Sequence, residues 1–162
     1  MDQFNKEMED KTRLLYSMVH EEKYDESRRL AQYLLKPDPN YQLSDASIAS
    51  FLHYVLFFCD VKQGKTEDEC MINLNEAIRL TNGLNPDLWY YGAVYQYEIG
   101  NWDKSLQFIL KCCSMPDIDL FLNGIMYNDN IVHHYRWEFL EKLVKEHFPE
   151  KDIPEMLSNL NS

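Results

Sequence analysis

A chain of 162 residues, 45% hydrophobic and 14% aromatic, is long enough to bury about two-thirds of its unfolded surface as one domain over 1–162, without disulfide or metal staples. Its formal charge of −11, from 27 acidic against 16 basic residues, repels phosphate backbones and anionic headgroups, so neither nucleic acid nor a membrane is an expected partner. No charge-free apolar run approaches the roughly 20 residues of a bilayer span, and the acidic stretch 1–10 does not have the character of a leader.

From the first residues onward, apolar side chains recur every three and four positions and period-two alternation never persists, which predicts an all-α fold. The spacing predicts helices over 4–22 and 24–35, 44–62 and 66–81, 86–99 and 102–114, each pair a hairpin. Ser44, Thr66 with Glu69, Asn85-Pro86-Asp87, Asn101 and Asn128-Asp129 mark starts; Pro37, Pro39, Gly64, Asn82-Gly83, Gly100, Pro116 and Pro149 mark stops. A terminal amphipathic helix over 130–148 places Ile131, Tyr135, Phe139 and Leu143 at four-residue spacing and reads as a cap, with a short helix over 153–160 folding back on it. A single hairpin cannot cover its own apolar stripe, so neighbours must stack as in a solenoid. Cys59, Cys70, Cys112 and Cys113 sit in apolar segments with no Cys-x-x-Cys spacing. That usage points to a reducing, cytoplasmic compartment and to no disulfide framework, structural metal or cofactor.

Trp89, Gly92-Ala93, Gly100, Trp102, Ser105, Ile109, Cys112 and Pro116 fill in order the slots of a helical-repeat motif: an aromatic, a small pair at the helix crossing, a turn glycine, a second aromatic, then small, bulky and small residues. This stretch resembles a tetratricopeptide (TPR) repeat. Weaker copies are Leu14-Leu15, Tyr24, Ser27, Ala31, Leu34 and Pro39 upstream, and Leu56-Phe57, Gly64, Cys70, Leu74 and Ala77 in the middle. Their turns are spaced more widely than the motif's period of about 34 residues, the linker 37–42 and an extra residue near Lys65 absorbing the excess. The resemblance implies a helical-hairpin solenoid of about three repeats (4–36, 44–82 and 86–116) with a capping region over 117–162. It makes Trp89 a wedge between the helices of its hairpin.

The resemblance also implies a non-catalytic adaptor or scaffold that holds a polypeptide in the concave face lined by the first helices. The lining slots bring Tyr16, Val19, Phe51, Tyr54, Phe58, Tyr90, Val94 and Tyr97, with Asp87 and Glu98 as an acidic rim suited to a basic segment. Two arrangements stay open: a free aromatic groove, or one filled from inside by the terminal helix. Where chaperone-adaptor repeats grip a carboxylate tail with Lys and Asn, this chain has Thr12, Tyr16, Val55 or Leu56, Asp87 and Tyr91, so no such clamp is expected. The pieces Trp89-Tyr90-Tyr91, Asn101-Trp102-Asp103-Lys104-Ser105, Met126-Tyr127-Asn128-Asp129 and Tyr135-Arg136-Trp137-Glu138 are similar to helical-repeat regions attached to family-2-type glycosyltransferases of bacteria and large DNA viruses. That likeness implies, as the alternative, an accessory component of a glycosyltransferase system.

Candidate chemistry reads as structure. Asp117-Ile118-Asp119 has the form of a metal-diphosphate motif but follows a helix stop, which makes it a surface turn. His134 and Glu138 lie one helical turn apart with no third ligand, and His133 points about 100° away, so they read as neighbours on an exposed face. Arg28-Arg29, and His133-His134 with Arg136, likewise read as solvated helix faces. With no nucleophile elbow and no glycine-rich phosphate loop, an enzyme is not expected.

Overall fold

The computed structural model describes the backbone of residues 2–36, 46–115 and 129–160, and the side chains of 6–36, 46–115 and 135–160. Eight helices are formed among these residues: α1 (Asp2–His20), α2 (Tyr24–Leu35), α3 (Ala46–Lys62), α4 (Glu67–Leu80), α5 (Pro86–Glu98), α6 (Trp102–Cys113), α7 (Asp129–His147) and α8 (Ile153–Leu160), and no strand. The fold is all-α, as the periodicity predicts. Ser44, Asn128 and the linker 37–42 lie outside the described residues. The chain divides into two compact units, Met1–Asn82 and Gly83–Ser162.

In the first unit α1 packs on α2, α2 on α3 and α3 on α4. The polar face of α2 is cut by a narrow inner stripe, Ser27, Ala31 and Leu34, at i, i+4 and i+7. The buried residues of α4 follow the same spacing, Cys70, Leu74 and Ala77. Between them α3 is buried on nearly every side, from Ser50 through Asp60, which is why its sequence shows a continuous apolar run rather than a stripe. Small residues let α3 and α4 approach closely: the buried Ser50 hydroxyl donates to the Ala77 carbonyl at 2.8 Å.

A polar chain runs through this packing. Arg28 pairs with Asp60 and donates to Gln63, Gln63 donates to Asp25, Asn73 donates to Asp60, and His53 meets the Asn73 carbonyl oxygen at 3.0 Å. Arg28 is therefore not the solvated residue expected from the sequence. Its charge is held by a buried carboxylate on the neighbouring helix.

In the second unit α5 packs on α6, and α7 packs on both, with α8 against α6. The inner stripe of α6 again contains Ser105, Ile109 and Cys112, joined by Leu106, Leu110 and Cys113 on a second face. These residues meet Leu140, Leu143, Val144 and Phe148 in a core that Ile153, Met156 and Leu157 of α8 flank. The buried Ser105 hydroxyl donates to the Ala93 carbonyl at 2.8 Å, so the small pair Gly92-Ala93 allows here the approach that Ser50 marks in the first unit.

The three hairpin turns share one construction. Glu22, Gly64 and Gly100 have φ of 61°, 69° and 83°. The following N–H of Lys23, Lys65 and Asn101 donates five residues back to Met18, Asp60 and Gln96 at 2.9, 3.0 and 2.9 Å. The left-handed residue itself donates three back, to Val19, Val61 and Tyr97. This is the paired closure of a glycine-type helix stop, repeated three times. Thr66 closes a full capping box with Glu69, as expected. Asn101 makes no side-chain cap and instead donates to the Gln96 amide oxygen.

Candidate functional site

α5 is set by its first residues: the Asn85 side chain accepts from the Asp87 N–H at 2.9 Å, and Pro86 supplies the fixed φ of the first turn. Leu88, Gly92, Ala93, Tyr95 and Gln96 then face inward. The adjoining stripe Tyr90, Val94 and Tyr97, at i, i+4 and i+7, is half-buried.

Arg136 fixes α7 against the end of α6. Arg136 is 3% exposed, and its guanidinium donates to the carbonyls of Cys112 and Met115 at 3.0 and 3.1 Å, at the C-terminal end of α6 where the helix dipole favours a cation. The expectation of a solvated Arg136 is thus overturned, since a helix C-terminus offers a buried cation both acceptors and a favourable dipole.

Held in this way, α7 inserts Phe139 between Tyr90 and Tyr97, edge to face, with centroids 6.0 and 5.6 Å away. Tyr97 is also edge-on to Trp102, whose ring stacks on His147 at 3.8 Å. The Tyr97 hydroxyl donates to the Glu146 carboxylate at 2.7 Å, and the Lys142 ammonium lies 5.1 Å from the Tyr97 ring centre. The bond to Glu146 raises the phenol's pKa, with burial adding to it, so Tyr97 remains a donor at neutral pH. Burial raises Tyr90 too, and the charge of Glu138 contributes. Tyr135, 49% exposed, extends the strip toward solvent. The result is a half-open aromatic strip on α5 and α7, edged by Glu138, Lys142 and Glu146.

The expected groove residues therefore fare differently. Tyr90, Val94 and Tyr97 come together on this strip, and Glu98 is exposed nearby in sequence at the end of α5. Asp87 is 3% exposed and cannot form a rim; its charge lies close enough to the half-buried Tyr91 phenol to help raise its pKa, after the larger effect of desolvation. In the first unit Tyr54 is 1% exposed, packed against Phe57 and Phe58, so it is a core residue and not a groove wall. Phe58 is half-buried against Tyr24 with Lys62 over its ring, and Tyr16 is edge-on to His20. Both tyrosines of the second unit's expected groove meet α7, as in the closed alternative, but they keep part of their surface.

Sequence reasoning missed Phe139, Lys142 and Glu146 as part of this strip. Their signal was present: Glu138, Lys142 and Glu146 alternate in sign at i, i+4 and i+8 along the helix that also carries Tyr135 and Phe139. Asp117, Asp119, His133 and His134 lie outside the described side chains. Among the described residues no group of three or more His, Cys, Asp or Glu is placed to hold a metal, and no helix is long and apolar enough to cross a membrane. Comparison with family models, curated proteins and solved structures returns no match.

Proposed function

We propose that this chain is a non-catalytic helical-repeat module of TPR-like build that binds a polypeptide segment, acting as an adaptor or scaffold in a reducing, cytoplasmic setting. The observation that carries the reading is the threefold repetition of one turn, with its left-handed residue and paired backbone closure, followed each time by a helix burying i, i+4 and i+7. Equivalent hairpins made this way are the building unit of stacked repeats, which bind extended or helical segments on the surface of their first helices. On that reading α1/α2, α3/α4 and α5/α6 are three repeats, and α7 covers the last one. The aromatic strip of α5 and α7 is the binding surface, because half-buried tyrosines offer large contact area at small entropic cost.

The test is to compare wild type with Tyr90→Ala and Tyr135→Ala by affinity capture from lysate and by thermal melting. Loss of captured polypeptide, equivalent to about 2 kcal/mol or more, in variants that melt near wild type supports the reading. Retained capture by a folded Tyr90→Ala, Tyr135→Ala double variant would remove the strip from the binding surface.

A further inference from the structure

We infer that Tyr97 and Glu146 form a receptor for an arginine side chain of the bound polypeptide, in a place now held by the chain's own Lys142; this rests on the polypeptide-binding reading above. Four observations converge in the second unit. The Tyr97 side chain already accommodates a cation, the Lys142 ammonium, which lies 5.1 Å from the ring centre and also hydrogen-bonds the phenol. Its hydroxyl is tied to Glu146 at 2.7 Å, which places a carboxylate at the edge of the same ring. Phe139 and Trp102 pack on the ring in T-shaped contacts at 5.6 and 5.2 Å, which restrict its plane. Glu138, about two helical turns from Glu146 along α7, continues the negative edge close enough to Tyr90 for its charge to be felt there.

Lys142 is a weak tenant. It is exposed, and an ammonium on a four-carbon stem is a strongly hydrated point charge that gains little by leaving water for a ring. A guanidinium is planar and less strongly hydrated, so it stacks on the ring while its N–H groups reach the Glu146 carboxylate, an arrangement an ammonium cannot match. The charge of the chain, −11, favours approach of a basic segment over an acidic one.

The probe is a short arginine-glycine repeat peptide, titrated by calorimetry against the same peptide with citrulline in place of arginine. Three variants are compared. Lys142→Met vacates the ring and Lys145→Met removes the same charge from an exposed position on α7, so their difference separates displacement from general electrostatics. Tyr97→Leu removes the ring, and Glu146→Gln is the milder companion should Tyr97→Leu disturb folding. The expected result is binding of the arginine peptide only, about threefold tighter for Lys142→Met than for Lys145→Met, and about fivefold weaker for Tyr97→Leu and for Glu146→Gln. Equal affinity of the two lysine variants, or indifference to Tyr97→Leu and Glu146→Gln, would overturn the inference. A polypeptide captured through Tyr90 and Tyr135 but insensitive to Lys142 and Glu146 would overturn it while leaving the proposed function standing.

Discussion

Arg28 on α2 and Asp60 on α3 form an ion pair of 2.6 Å in which the two side chains keep 22% and 6% of their exposure. Asp60 also accepts from Asn73 of α4, so one carboxylate ties three helices of the first unit. Removing it leaves a largely dehydrated guanidinium and an unsatisfied amide. Asp60→Ala is therefore expected to cost about 3 kcal/mol, less than the most deeply buried pairs because Arg28 retains some water. The double variant Arg28→Met, Asp60→Leu should recover much of that loss, since it leaves no orphaned charge. Urea denaturation of the single and double variants checks both, and a loss below about 1 kcal/mol for Asp60→Ala would make the pair a surface contact in energetic terms.

Glu22 occupies the same left-handed turn position as Gly64 and Gly100, with φ of 61°, yet carries a side chain. A Cβ there costs about 1 kcal/mol or more relative to glycine, part of which glycine gives back as unfolded-chain entropy. Glu22→Gly should accordingly stabilise the fold by about 0.5–1 kcal/mol. Gly64→Ala and Gly100→Ala should each destabilise it, and there the cause is conformational alone, because an added Cβ meets nothing within 4 Å at either site. Thermal melts of the three variants give the signs directly.

Trp89 is half-buried, with its ring 5.4 Å from Phe108 of α6 and its Nε1–H donating to the Gly83 carbonyl at 2.9 Å. It braces the start of α5 against α6 from the side and is a shallower wedge than the repeat pattern led one to expect. Trp89→Ala should cost about 3 kcal/mol through lost packing, and Trp89→Phe about 1–2 kcal/mol through the lost hydrogen bond and smaller ring. Chemical denaturation with equal slopes for both variants is the measurement that checks this order.

The thiols supply a pH dependence. Burial pushes Cys59 from its ordinary 9.0 up to about 11 and Cys113 up to about 12, and it raises Cys112 as well. A raised folded pKa means that the folded chain keeps protons the unfolded chain has released. Stability from this source is intact below about pH 9 and falls from there to about pH 11 for Cys59 and about pH 12 for Cys113, by up to roughly 1.4 kcal/mol per pH unit for each thiol. Urea midpoints measured across that range should drop steeply, and a flat profile would place the thiols in contact with water. Consistently, alkylating reagents at neutral pH should label these cysteines only after denaturation.

Helices, turns and hairpin pairing were legible because their causes are local: an i, i+4, i+7 stripe, a glycine at a helix stop, a capping box at Thr66 and Glu69. The aromatic strip was half legible, since Tyr90, Val94 and Tyr97 share a face of one helix while Phe139 and Glu146 reach it from another some 40 residues or more along the chain. Arg28 and Arg136 were misread for the same reason. Nothing beside Arg28 in the sequence announces Asp60, and nothing beside Arg136 announces the carbonyls of Cys112 and Met115. Asp87 and Tyr54 were placed by slot, but slot position alone does not set how deeply a face is covered.

α3 leaves little of its surface to water: from Ser50 to Asp60 nine of its residues are buried in the finished protein. A polypeptide leaving the ribosome has only α2 to cover that helix until α4 has followed it. Products that stop just past Lys62 would leave part of the apolar set Phe51, Leu52, Val55, Leu56 and Phe57 uncovered, the kind of surface that aggregates or is seized by a chaperone. Products long enough to include Leu80 bring Cys70, Leu74 and Ala77 to cover part of it. Expression fragments of this protein should therefore be cut after the second helix of a hairpin and never between its two helices.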